Sequence, residues 1–142
     1  MTEAIDKSAV LAALNELLEA ERAGARVALV SRKQARTGYA DLMRQVHVDE
    51  SRWCEMLSRQ ISRLGGEPSP ACGAFFTKAI AISEPLDRLA FLNRGQSWVV
   101  RKLEALLAQR EDEDLRSDLQ DMLDSHRTNI DAAADFLAAA GK

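Results

Sequence analysis

Four long stretches of helix-period sequence, joined in the order short, long, short, limit most strongly what this chain can fold into. Prolines occur only at positions 68, 70 and 85, and glycines at 24, 38, 65, 66, 73, 95 and 141. Between these breakers the apolar residues recur at helical spacing. The first segment spans about Lys7 to Ala35 and should turn near Thr37-Gly38. The second spans about Tyr39 to Leu64 and stops at Gly65-Gly66. The third follows Ser83-Glu84-Pro85, a capping residue with proline in the first turn, and ends near Arg110. The fourth runs from about Glu113 to Ala139. The acid run Glu111-Asp112-Glu113-Asp114 before it suits the positive end of a helix dipole. Tight turns make segments one and two, and segments three and four, antiparallel hairpins. Between the hairpins lies a long connection, 65–85, whose apolar piece Phe75 to Ile82 has room for one or two helical turns. The expected fold is therefore all-α: a four-helix bundle, two antiparallel hairpins joined by a long crossover. At 142 residues, it fits one domain over 1–142.

A bundle helix buries positions spaced three and four apart. The best stripe on the first segment is Val10, Leu14, Leu17, Glu21, Gly24, Ala28. On the second it is Met43, His47, Glu50, Cys54, Leu57, Ile61, Leu64. The third gives Leu86, Leu89, Asn93, Gln96, Val100, Leu103, Leu107, and the fourth Leu115, Leu119, Met122, His126, Asn129, Ala133, Phe136. Each stripe is apolar at its ends and polar in its middle. The polar set holds Glu21, Glu50, Asn93, Gln96, Asn129 and both of the chain's histidines, His47 and His126. A polar group buried without a partner costs about 1–3 kcal/mol. These residues must therefore satisfy one another or a bound species.

Two carboxylates and two imidazoles form a hard-to-borderline donor set suited to a metal ion, Fe, Mn or Zn. Glu21, His47, Glu50 and His126 are the candidate metal ligands. Depth in the hairpins orders them. A turn centred near 35–36 puts Glu21 level with Glu50. A turn at 37–38 offsets them by about 6 Å at 1.5 Å per residue. His47 lies about one turn farther off and is the outlying member. The alternative reading is a metal-free bundle acting as a structural, dimerisation or accessory module, with the polar cluster fixing helix register.

On topology and on these residues the chain resembles the ferritin-like superfamily, with its rubrerythrins, bacterioferritins and other di-iron carboxylate proteins. In that superfamily two helices each give one Glu and two others each give a Glu-x-x-His pair. Glu21, in Glu21-Arg22-Ala23-Gly24-Ala25, looks like the single Glu of the first helix. Asn93 or Gln96, in Asn93-Arg94-Gly95-Gln96, stands where the third helix's Glu would be. Trp53 fills the histidine place after Glu50, and Leu123 the glutamate place before His126. The resemblance thus implies an oxygen- or redox-related metal protein with an altered ligand set, mononuclear or dinuclear, and not an iron-storage shell.

Composition excludes several other classes. The net charge is −3 with Lys and Arg mixed among the acids, so no basic stripe supports nucleic-acid binding. No apolar run approaches the roughly 20 residues of a membrane span. The polar start, with Glu3 and Asp6, is not a signal peptide, which makes the cytoplasm the expected location. Cys54 and Cys72 have no zinc or redox spacing and read as ordinary thiols. Trp53 and Trp98 read as packing residues, and Arg52, Glu55, Arg59 and Arg63 as a solvated face. Bundles of this size commonly pair through an outer face, which allows a homodimer.

Overall fold

The computed structural model describes residues 6–33, 37–109 and 112–141. They form five helices and no strand: α1 (Lys7–Ser31), α2 (Thr37–Arg63), α3 (Phe75–Ile80), α4 (Pro85–Leu107) and α5 (Glu113–Ala140). Three of the starts are capped by carboxylates that accept otherwise unbonded backbone N–H groups. Asp6 accepts from Ser8 and Ala9, Glu84 from Asp87 and Asp112 from Leu115. For α4 the cap is thus Glu84, with Pro85 as the first helical residue. None of the helices, among the described residues, is long and apolar enough to cross a membrane.

α1 packs most extensively on α2, and α4 on α5; α1 also meets α4, and α2 meets α5. The short α3 lies in the crossover and rests on α1 and α4. α1 ends at Ser31, capped by Arg32; the expected end at Ala35 falls in 34–36, outside the described residues. Thr37 and Gly38, expected as the turn, instead belong to α2. Gly38 serves a close approach: a Cβ there would fall 2.9 Å from the Phe136 ring of α5. The expected end of α4 near Arg110 is also revised, since the helix stops at Leu107; residues 110–111 lie outside the described residues, as do 1–5.

The apolar core divides in two. One cluster centres on Leu14, Leu17, Leu57, Leu103, Leu119 and Met122. The other is built on smaller and more varied residues, among them Val27, Ala28, Tyr39, Met43, Leu89 and Ala133. Along each long helix the division falls where the polar mid-stripe residues stand. Burying each large aliphatic side chain contributes about 1.5–3 kcal/mol, so the two clusters can hold the helices around a polar layer that adds little by itself.

The stripes on α1 and α5 match expectation closely. On α4 the inward positions are Leu92 and Val99 in place of Asn93 and Val100. Asn93 is half-buried, and its amide donates to the Ile130 carbonyl at 3.3 Å. Arg88, off the expected stripe, is also buried. Its guanidinium donates to the carbonyls of Ile80 and Ile82 and to Ser31 Oγ. It thereby ties the end of α3 and the end of α1 to the start of α4.

Candidate metal centre

Glu21 from α1, Glu50 from α2 and His126 from α5 converge in the layer between the two apolar clusters. They are 1%, 2% and 1% exposed. One ligand atom from each lies within 4.8 Å of the others. Two donors each about 2.1 Å from one ion stand about 3–4 Å apart, so a small closure of the triad fits a single ion. This group could hold a metal.

The orientation of His126 is set by its own helix. Its Nδ1 lies 3.0 Å from the carbonyl oxygen of Met122, one turn earlier. A carbonyl only accepts, so Nδ1 carries the proton and Nε2 is aimed at the carboxylates. Nε2 stands 2.9 Å from Glu21 Oε1. Even so, His126 Nε2, Glu21 Oε1 and Glu50 Oε2 have no hydrogen-bond partner among the described residues. With the imidazole neutral, a lone pair faces an oxygen that also offers only lone pairs. Such an arrangement calls for a cation between the atoms, either protons or a metal ion.

The electrostatics carry the same demand. Burial pushes the Glu50 carboxyl well above the usual carboxylate range, and the charges of Glu21 and Asp49 push it further. For His126, burial opposes the imidazolium. The Glu21 carboxylate, the bond to Met122 and the charge of Asp49 outweigh that penalty, so its pKa lies above the usual value. In an ion-free cluster the protonated forms of Glu50 and His126 are therefore both favoured.

Gly24 makes the seat for Glu50. A Cβ built at position 24 would fall 2.8 Å from Glu50 Cδ and 2.9 Å from its Oε1. A mid-helix glycine costs about 1 kcal/mol relative to alanine; here it gives the carboxylate its room. Beside the cluster, Asn129 donates to Asp49 Oδ2 at 3.0 Å and joins α5 to α2. On α4, Gln96 is 3% exposed and its Oε1 has no partner among the described residues. It lines a cavity of about 370 Å³ that also reaches Glu21, Gly24 and Glu50.

His47 is not brought to this group. The inward face of α2 runs Met43, Val46, Glu50, Trp53, Leu57. His47 is rotated about 100° from Val46 and lies half-buried on a separate surface hollow with Arg22, Arg26 and Cys54. Trp53 takes the inward place and donates to Ser125 Oγ of α5 at 3.3 Å. Cys54 is likewise off the core line. Burial, with the charges of Glu21 and Glu50, pushes its thiol up to about 12, which leaves it unreactive. Cys72 is also a free thiol, and Arg26 donates to its sulfur at 3.0 Å. Spacing alone did not mark Gly24, Asp49 and the Met122 carbonyl as parts of the site. A glycine one turn after Glu21 was the available signal for the first; nothing in the sequence marked the other two.

Comparisons with curated proteins and with solved structures gave no match. The family described as a domain of unknown function, DUF6306, matches residues 8–135. That match covers most of the chain, including all three converging residues, and this protein belongs to that family.

Proposed function

We propose that this chain is a ferritin-like four-helix-bundle metalloprotein that holds one divalent first-row ion on Glu21, Glu50 and His126 and supports redox or oxygen-related chemistry there. The observation that carries the reading is the set of three buried, converging donor atoms that lack hydrogen-bond partners. Two carboxylates and one neutral imidazole give two negative charges, which balance one divalent ion and not two. Oxygen-rich donors favour Fe or Mn over Zn. Three protein ligands leave coordination positions open, as a reactive ion requires. When bound, the ion would supply Lewis acidity and, for Fe or Mn, a change of oxidation state. The chain's own contributions are separate. Met122 fixes the His126 tautomer, Gly24 leaves space for Glu50, and the apolar clusters keep bulk water from the donors.

The 2.9 Å approach of His126 to Glu21 also fits an imidazolium–carboxylate pair, which favours a second reading, a metal-free structural module. Glu50 and His126 can each hold a proton that a divalent ion would displace. Loading therefore exchanges up to two protons for one ion. Elemental analysis of protein purified without chelator or affinity-tag metal, with melting measured with and without EDTA, separates the two. Near-stoichiometric Fe or Mn and a melt lowered by EDTA support the centre. Absence of metal, with a melt indifferent to EDTA and to added ions, overturns it.

A further inference from the structure

The cavity beside the triad has features that the metal-binding reading does not use. It lies between α1, α4 and the crossover, and its volume is about 370 Å³. At about 30 Å³ per non-hydrogen atom, the share of liquid water, that is room for roughly a dozen atoms. It stands at the small end of the range for ligand pockets, about 300–1,000 Å³. Ala20, Phe75, Leu92, Trp98 and Val99 make its walls largely apolar.

The roof is fixed. Arg22 Nη1 donates to the carbonyls of Ser69 and Ala71 at 2.7 and 2.6 Å. Asn15 exchanges hydrogen bonds with the backbone of Glu67 and Ser69, and Ser69 Oγ donates to Glu19 at 2.6 Å. Phe75 stacks on Phe91 with ring centroids 4.9 Å apart. It is seated over Gly95, where a Cβ would fall 2.7 Å from the ring. The hollow is thus a built feature of the fold, closed on one side by a tethered segment.

Charge narrows the occupant. Glu16 and Glu19 line the cavity along with Glu21 and Glu50, and no Lys, Arg or His is among the lining residues. An anion would enter against carboxylates, and Lys102, which pairs with Glu16 at 3.2 Å, is not itself among the lining residues. At the inner end, Gln96 offers a buried amide oxygen with no partner among the described residues, which suits a donor such as a hydroxyl.

We propose that this cavity binds a small, uncharged, largely apolar organic molecule of about a dozen non-hydrogen atoms or fewer, with its polar group turned inward to Gln96. That this polar group would meet a reactive centre rests on the metal reading above; binding itself does not.

Phenol is a suitable probe, with benzoate as the anionic control. Calorimetric titration and Trp98 fluorescence, on protein with and without metal, should show saturable phenol binding and at least tenfold weaker binding of benzoate. The fluorescence change should vanish in Trp98→Phe. Ala74→Trp, at the exposed rim of the cavity, should abolish phenol binding while melting and metal content stay unchanged. Gln96→Leu should weaken phenol binding several-fold. No saturable phenol binding to the wild-type protein, or phenol binding undiminished in Ala74→Trp, overturns the proposal. Phenol binding by a protein that never takes up metal leaves the cavity assignment standing and removes the metal reading instead.

Discussion

Gln60, toward the far end of α2, is as buried as Glu50, yet its side chain is fully engaged. Its amide nitrogen donates to Asp114 and Asp118, each at 2.7 Å, and its oxygen accepts from Arg63 Nε at 2.9 Å. Arg63 in turn donates to both oxygens of Asp112, the cap of α5. Three turns away, Glu21, Glu50, His126 and Gln96 each keep a buried atom without a partner. Both clusters involve α2 and α5, the open one adding Glu21 from α1 and Gln96 from α4. What separates them is saturation. A polar network that answers all its own hydrogen bonds fixes the register of α2 on α5. One that leaves them open presents a place for something else.

That contrast can be broken by substitution. The largest effect should come from His126→Ala or Glu50→Gln, each expected to lower metal affinity about 100-fold or more, measured by metal content after dialysis. Arg63→Ala in the saturated cluster should leave metal content untouched. If both clusters respond alike, the distinction fails. Gly24→Ala comes next. The added methyl should displace the Glu50 carboxylate and weaken metal binding about 10-fold, while the ion-free helix gains up to about 1 kcal/mol from the better helix former. A melt and a metal titration on one sample would show the opposed signs.

Gln60→Ala should cost about 1–3 kcal/mol in chemical denaturation, from the lost contacts of a buried amide, with metal binding unchanged. A smaller and sharper test is pH. Glu50 and His126 both have raised values in the folded state. Their protonated forms therefore stabilise the ion-free fold at low pH, and that contribution is lost as pH rises through the raised values. Ion-free protein should melt lower as pH rises through those raised values. Metal-loaded protein should show the opposite slope, because its ligands must be deprotonated. Parallel slopes would contradict the exchange of protons for an ion.

Much of this was readable in the sequence, for reasons that can be named. The four long helices and the short α3 follow from apolar period and from the breakers at 65, 66, 68, 70 and 85. Glu21, Glu50 and His126 stood out because carboxylates and imidazoles are rare on a buried stripe. His47 misled because a residue three before Glu50 shares a side of the helix with it, and only packing decides that Val46 is the one turned inward. Gly38 misled in the same way: glycine marks a turn and a close helix approach equally well. The orienting carbonyl of Met122 and the tethered crossover have no signature in side-chain pattern, since backbone geometry supplies the first and long-range contacts the second.

Arg22 follows Glu21 directly on α1, and the two side chains part: Glu21 lines the cavity, while Arg22 holds the crossover just before the stretch Cys72–Phe75 that forms one wall of it. Its hold is on the carbonyls of Ser69 and Ala71. That wall is therefore held to α1 where it begins and is not left to the slack of a loop. A size limit set in this way should be stiff: nearly constant on warming, and lost abruptly only when α1 itself gives way.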